Sequence, residues 1–160
     1  VNRPSPRWAF AEGFQVAKNG RPYLDRLRII QTPLFGVYLH RIHTPDEDRD
    51  PHDHPWWFAS LVLSGGYDEM VWDHPEDIGK PACRDRIRWA RLRTRSRWSL
   101  RTVRRSQAHM ITDVRGQLWT LVLTGPRRSS WGFWTPGGYV DWRDYLRAAS
   151  EDAALWGGAS

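Results

Sequence analysis

A single cysteine, Cys83, stands in the 160-residue chain. A lone thiol closes no internal disulfide, so the fold rests on its own core, and such sparing use of cysteine suits a reducing compartment. Near Pro81, it reads as an inert thiol. No run approaches the eighteen apolar residues of a membrane-spanning helix. The first ten residues, VNRPSPRWAF, lack the charged-then-apolar layout of a secretory signal, and a cytoplasmic location is the expectation. No Gly/Ser linker, low-complexity tract or internal repeat divides the chain, and its length suits one domain over residues 1–160.

Lysine is nearly absent too: Lys18 and Lys80 are the only lysines among 24 basic residues, in a chain of net charge +6. An arginine bias of this kind follows from a GC-rich genome, so the charge alone does not make nucleic acid the expected partner. Tryptophan, in contrast, is abundant, with eleven copies. Each buries a large ring and needs a partner for its N–H, which points to an aromatic-lined core or cavity.

Short β-leaning runs fill the middle of the chain, separated by Gly, Pro, Asp and Ser clusters. They cover 35–43, 56–63, 67–72, 87–93, 98–103, 109–114, 118–123 and 131–136, the punctuation of an all-β sandwich or barrel with its core at about 33–140. Helical periodicity is confined to the ends. Residues 142–156, WRDYLRAASEDAALW, start after Asp141 as an N-cap and stop before Gly157 and Gly158, giving a short C-terminal helix. The stretch from Phe14 to Ile30 has a less distinct, helix-like pattern with a turn at Asn19-Gly20.

The most informative stretch is RDPHDHPWWFASLVLSGGYDE, residues 49–69. If it is extended throughout, His52, His54, Trp56, Phe58, Ser60 and Val62 share one face. Two imidazoles on an inward face are costly unless something uses their lone pairs, and a divalent metal does so directly. His109, at the start of a later strand, is the best-placed third ligand. His43 and His74 read as surface or hydrogen-bonded residues, and Asp53 faces away from the pair by alternation.

The segment resembles the first motif of the cupin superfamily, in which His-x-His is followed by a glutamate four residues on and a glycine seven beyond that. His52, His54 and Gly65 match, while Phe58 takes the glutamate position. The second motif, Pro-x-Gly-x-x-His with Asn four residues later, aligns on His109, with Arg104, Ser106 and Asp113 at the other places. The run HDHPWWFASLVLSGGYDE with the later LWTLVLTGPRRSSWGFWTP is also similar to small cupin proteins of actinobacteria and their phages. This likeness covers about two thirds of the chain and implies a jelly-roll β-barrel.

Without the glutamate, three neutral imidazoles leave a divalent ion its full charge, which favours anionic or ionisable substrates. Iron(II) and zinc both accept three histidines. The resemblance to three-His cupins implies iron(II), with O2 as co-substrate and zinc as the alternative. Trp56 and Phe58, with Tyr38 and His40 from the preceding strand, would wall the site and bind a planar substrate. Arg127 and Trp131 belong to the same substrate-binding set, at the barrel mouth. Tyr67 and Glu69 are the nearest candidates for general acid–base work or for supporting the ligands. Ten arginines between Arg84 and Arg105, several at alternate positions, read as a solvated face.

The expectation is therefore an iron(II)-dependent dioxygenase-type enzyme acting on a small planar, heterocyclic or nucleoside-like metabolite in a biosynthetic pathway. The alternatives are a non-catalytic module for an anionic ligand or nucleic acid, and a zinc-dependent isomerase or hydrolase. The resemblance also implies a homodimer.

Overall fold

Two-residue alternation governs the chain from Glu12 onwards. A computed structural model describes residues 12–18, 21–46, 50–80 and 90–148. Strand β1 (Glu12–Lys18) pairs antiparallel with β2 (Arg21–Gln31), the last pair being Lys18↔Arg21. This hairpin corrects the helix-like reading of Phe14 to Ile30. In β2 the inward positions are Leu24 and Arg26 and the outward ones Asp25 and Leu27. Charge thus falls on both faces, and the period of two is hidden from a hydrophobicity pattern. The expected turn at Asn19-Gly20 lies outside the described residues.

The remaining strands are β3 (Gly36–Ile42), β4 (Phe58–Trp72), β5 (Arg91–Ser96), β6 (Leu100–Val103), β7 (Ala108–Thr124), β8 (Gly132–Thr135) and β9 (Gly138–Asp141). The sheet runs β1-β2-β3-β7-β4-β5, with β6 also beside β4, and β8 and β9 form a hairpin. Residues 67–72 and 109–114 were expected as strands of their own. They instead continue two long strands, because Gly65 (φ +68°) and Gly116 (φ +65°) take the left-handed conformation that lets the β4–β7 ladder bulge and bend without breaking. The first half of β4 pairs with β6 and the second with β5. The expected strand at 87–93 begins at Arg91; residues 81–89, Cys83 among them, lie outside the described part.

After Asp141 the chain turns helical over 142–148, and the rest of the expected helix lies outside the described residues. Asp141 Oδ1 accepts the Arg143 N–H at 3.0 Å, the expected cap. The helix lays Trp142 parallel to Trp131 (5.7 Å between centroids, 7° between planes) and Tyr145 on Phe133 (3.8 Å, 17°). Among the described residues no helix is long and apolar enough to cross a membrane.

The polarity of the β2-β3-β7-β4-β6 sheet is inverted relative to an ordinary core. Its inward rows read Arg26, His40, Thr120, Val62 and Arg28, Tyr38, Val122, Ser60, Arg101, each residue opposite the next across the strands. Its outward row is Leu27, Leu39, Leu121, Leu61, Leu100 in the same register. Thr120, Ser60 and Arg101 are buried, while Leu100 is 66% exposed. Polar residues are placed inside a barrel when they line a space that something polar enters.

The β8–β9 hairpin is held close by Gly132. A Cβ there would come within 2.2 Å of the Val140 carbonyl oxygen. The same glycine donates its N–H to Asp53 Oδ1 (2.8 Å) and accepts the Asp53 N–H (3.1 Å), anchoring the segment that carries His52 and His54. Gly132→Ala should cost about 1–3 kcal/mol and lower Tm by roughly 2–10 °C; an unchanged melting curve would contradict this placement.

Candidate metal centre

A hydrogen-bonded antiparallel pair points its two side chains to the same face of the sheet. His52 and His109 form such a pair, exchanging both backbone bonds: His52 N–H to the His109 carbonyl at 3.1 Å and His109 N–H to the His52 carbonyl at 3.0 Å. On its other side His52 bridges Phe133. Residues 50–57 are not a strand apart from this bridge, so the expectation of one extended face from His52 to Val62 is corrected: β4 begins only at Phe58. The bridge does the orienting instead, and His54, two residues on, joins the same side.

The candidate ligand atoms of His52, His54 and His109 all lie within 4.8 Å of one another. His54 Nε2 and His109 Nε2 are 2.9 Å apart. Two nitrogens bound to one ion at about 2.0–2.1 Å would sit roughly 3.0–3.4 Å apart, so this spacing suits a shared cation. Burial holds His54 well below the usual histidine range, reinforced by His52 and Arg101. His109 is shifted the same way by burial, then by Arg101, His52 and His54. Both imidazoles are thus kept neutral with lone pairs available, the state a metal ligand requires. Three converging imidazoles fit a divalent transition metal.

Behind His109 stands Glu69, fully buried. Register makes it a diagonal neighbour, since Val71 pairs with His109 and Glu69 with Ile111. Glu69 Oε2 lies 3.5 Å from His109 Nδ1 and forms an ion pair with Arg101, and Oε1 accepts from Arg95 Nε at 2.9 Å. A carboxylate behind a ligand imidazole fixes which nitrogen faces the ion. Glu69 does not line the cavity. Tyr67 does line it, with its hydroxyl 3.4 Å from Arg101 Nη1. Asp53 turns away, its carboxylate accepting from Gly132 N–H and from Trp134 Nε1 at 3.3 Å. His43 pairs with Asp25 at 2.7 Å and exposed His74 with Glu76 at 3.2 Å, both outside the cluster.

A cavity of about 650 Å3 opens on the three histidines. All six residues expected to bind substrate line it: Tyr38, His40, Trp56, Phe58, Arg127 and Trp131. Phe58, at the glutamate position of the cupin motif, packs edge-on against His54 at 4.8 Å and lies under the Arg101 guanidinium at 5.2 Å. Trp131 packs edge-on against His52 at 6.3 Å. Burial holds His40 well below the usual histidine range, with Arg26 adding to the shift, and raises Tyr38.

Sequence reasoning missed Arg26, Arg101 and Trp142, which also line the cavity. The signal for Arg101 was its phase: in LRTV it alternates with buried Val103, while Leu100 faces out. Arg95 likewise turns from the expected solvated row to reach Glu69.

No protein-family model matches the chain, and neither does any curated protein. Among solved structures, the chain is similar to the iron(II) form of HppE, with 12% identity and a TM-score of 0.54 over 71% of this chain and 56% of that one. It is similar also to iron(II) HppE with the alternative substrate (S)-1-HPP, at 12% identity and a TM-score of 0.52 over 72% and 55% of the two chains. KdgF from Halomonas sp. matches at 15% identity and a TM-score of 0.50, over 75% of this chain and 96% of that one. The match thus spans little more than half of the HppE chain. At such identities the likeness shows the fold: an all-β, cupin-like jelly roll with a short C-terminal helix, in which three histidines can hold a metal ion.

The depressed histidines give the metal-free protein a defined pH response. Their folded pKa values lie below the unfolded value of 6.5. The stability these groups contribute is therefore fully present above that value and is lost as pH falls from it towards the folded values. Thermal melts of metal-free protein at about pH 7.5 and about pH 5.5 should show a clear drop in Tm; a flat profile would contradict the neutral, buried state.

Proposed function

We propose that the chain is a mononuclear, non-heme iron(II)-dependent oxygenase of the dioxygenase type, acting on a small planar metabolite. The observation that carries this reading is the convergence of three imidazoles at the wall of a cavity of substrate size. His52, His54 and His109 would hold the ion, which when bound supplies Lewis-acid and redox chemistry with coordination positions open to substrate and O2. Trp56, Phe58 and Trp131 surround the site with apolar surface that excludes bulk water and offers ring faces for stacking. Tyr67 is the hydroxyl placed to hold or pass a proton at the cavity wall. Glu69 would support His109 from behind, its Oε2 3.5 Å from Nδ1, with Arg101 and Arg95 pairing with the carboxylate.

Protein loaded with iron(II) anaerobically and then screened against small aromatic and heterocyclic acids should take up O2 in the presence of a substrate, while zinc-loaded protein should not. Turnover by the zinc form without O2 uptake would move the reading to an isomerase or hydrolase.

The outward leucine row supports a second copy of this chain as partner. Five leucines on five strands extend about 19 Å at roughly 4.8 Å per strand, with Leu123 and Trp57 also exposed nearby. A continuous apolar row of that width exceeds the scattered exposure usual on a monomer's surface. Light scattering at micromolar concentration should give a dimer mass that Leu39→Lys/Leu121→Lys reduces to that of a monomer; a monomeric wild-type protein would contradict it.

A further inference from the structure

The charged side chains of the cavity wall are engaged within the protein. Arg101 pairs with Glu69, Asp46 accepts the Tyr23 hydroxyl and, at 3.0 Å, the Ile111 N–H, and Arg127 Nε donates to the Ser129 carbonyl at 3.4 Å. Arg26 lies over the Tyr38 ring, 5.6 Å from its centroid, and is partnered too. Three hydroxyls of the wall are in a different state. Tyr38, Ser60 and Thr120 are buried and line the cavity, yet among the described residues none of the three hydroxyls shares a hydrogen bond with another protein group.

Strand register gathers them around one residue. Tyr38 on β3 and Ser60 on β4 both stand opposite Val122 of β7, one on each side, and Thr120 lies two residues along β7 on the same face. At roughly 4.8 Å per strand, the patch is about 10 Å across. Thr120 is opposite His40, whose Nε2 is buried without a hydrogen-bond partner. Trp56 packs against the cluster that contains Tyr38, Phe58 and Val122, which adds an aromatic surface beside the hydroxyls.

A hydroxyl facing a cavity needs water or a ligand to complete its hydrogen bonds. Each of these three can both donate and accept, and an ionic group placed among them would meet no free counter-charge. We propose that Tyr38, Ser60 and Thr120 form a subsite for a neutral, polyhydroxylated ring of the sugar type, carried by the small molecule whose other end reaches the three-histidine centre. That this molecule is a substrate rests on the oxygenase reading, whereas the subsite consists of protein groups alone. The ring's hydroxyls would exchange hydrogen bonds with the three side chains, and its apolar face would pack on Trp56. A cavity of about 650 Å3 has room for such a ring together with a planar group.

Calorimetric titration of the metal-free full chain tests this with four probes: phenyl β-D-glucoside, phenyl β-D-galactoside, anionic phenyl β-D-glucuronide and cyclohexyl phenyl ether, which lacks hydroxyls. At least one of the two neutral glycosides should bind saturably, and more tightly than the glucuronide and the ether. Its binding should weaken roughly two- to tenfold in each of Ser60→Ala, Thr120→Val and Tyr38→Phe, which remove a hydroxyl with little change of shape. Three such variants keep the test available if one does not fold. Binding should persist in His54→Ala, which removes a metal ligand, so failure of the metal reading leaves this result standing. No saturable binding of either glycoside, equal or tighter binding of the glucuronide or the ether, or wild-type affinity in the folded Ser60 and Thr120 variants would overturn the subsite.

Discussion

The backbone pair between His52 and His109 is the constraint on which the site depends. These residues are 57 positions apart in the chain, and two hydrogen bonds of 3.0 and 3.1 Å place them opposite each other. Opposite residues in such a pair share a face, so convergence of the imidazoles is a consequence of register and needs no special loop geometry. The same short segment bridges to Phe133, ties Asp53 to Gly132, and accepts the Trp134 N–H at the Pro51 carbonyl at 2.7 Å. It therefore joins the β4–β7 ladder to the β8–β9 hairpin while presenting His52 and His54 to the interior.

Around that pair the electrostatics are layered. Desolvation keeps His54 and His109 neutral, and the nearest carboxylate is held one step back, behind His109. Glu69 is surrounded by Arg95 and Arg101, so its charge is balanced by guanidinium and does not compete for the ion. With Phe58 at the position where the cupin motif has a carboxylate, the centre keeps a full positive charge when a divalent ion is bound.

Much of this was legible in the chain. The H-x-H spacing, the strand beginning near His109, the aromatic residues Tyr38, Trp56, Phe58 and Trp131, and Arg127 all carried local signals, and the structure brings them together around one cavity. What was hidden was hidden by polarity. Arg26 and Arg101 occupy inward positions where hydrophobic patterning expects apolar residues, and their neighbours Leu27 and Leu100 face outward. A reading that sends leucine inward and arginine outward inverts the faces of these strands. The long strands were split at Gly65 and Gly116 because a glycine bulge and a turn look alike in sequence.

The central claim is that His52, His54 and His109 together hold one divalent transition metal. Equilibrium dialysis against iron(II) under anaerobic conditions, followed by elemental analysis, tests it most directly. The account predicts about one ion per chain, lost in each of His52→Ala, His54→Ala and His109→Ala and retained in His74→Ala. No stoichiometric iron or zinc in the wild-type protein, or full retention in folded His109→Ala, would contradict it.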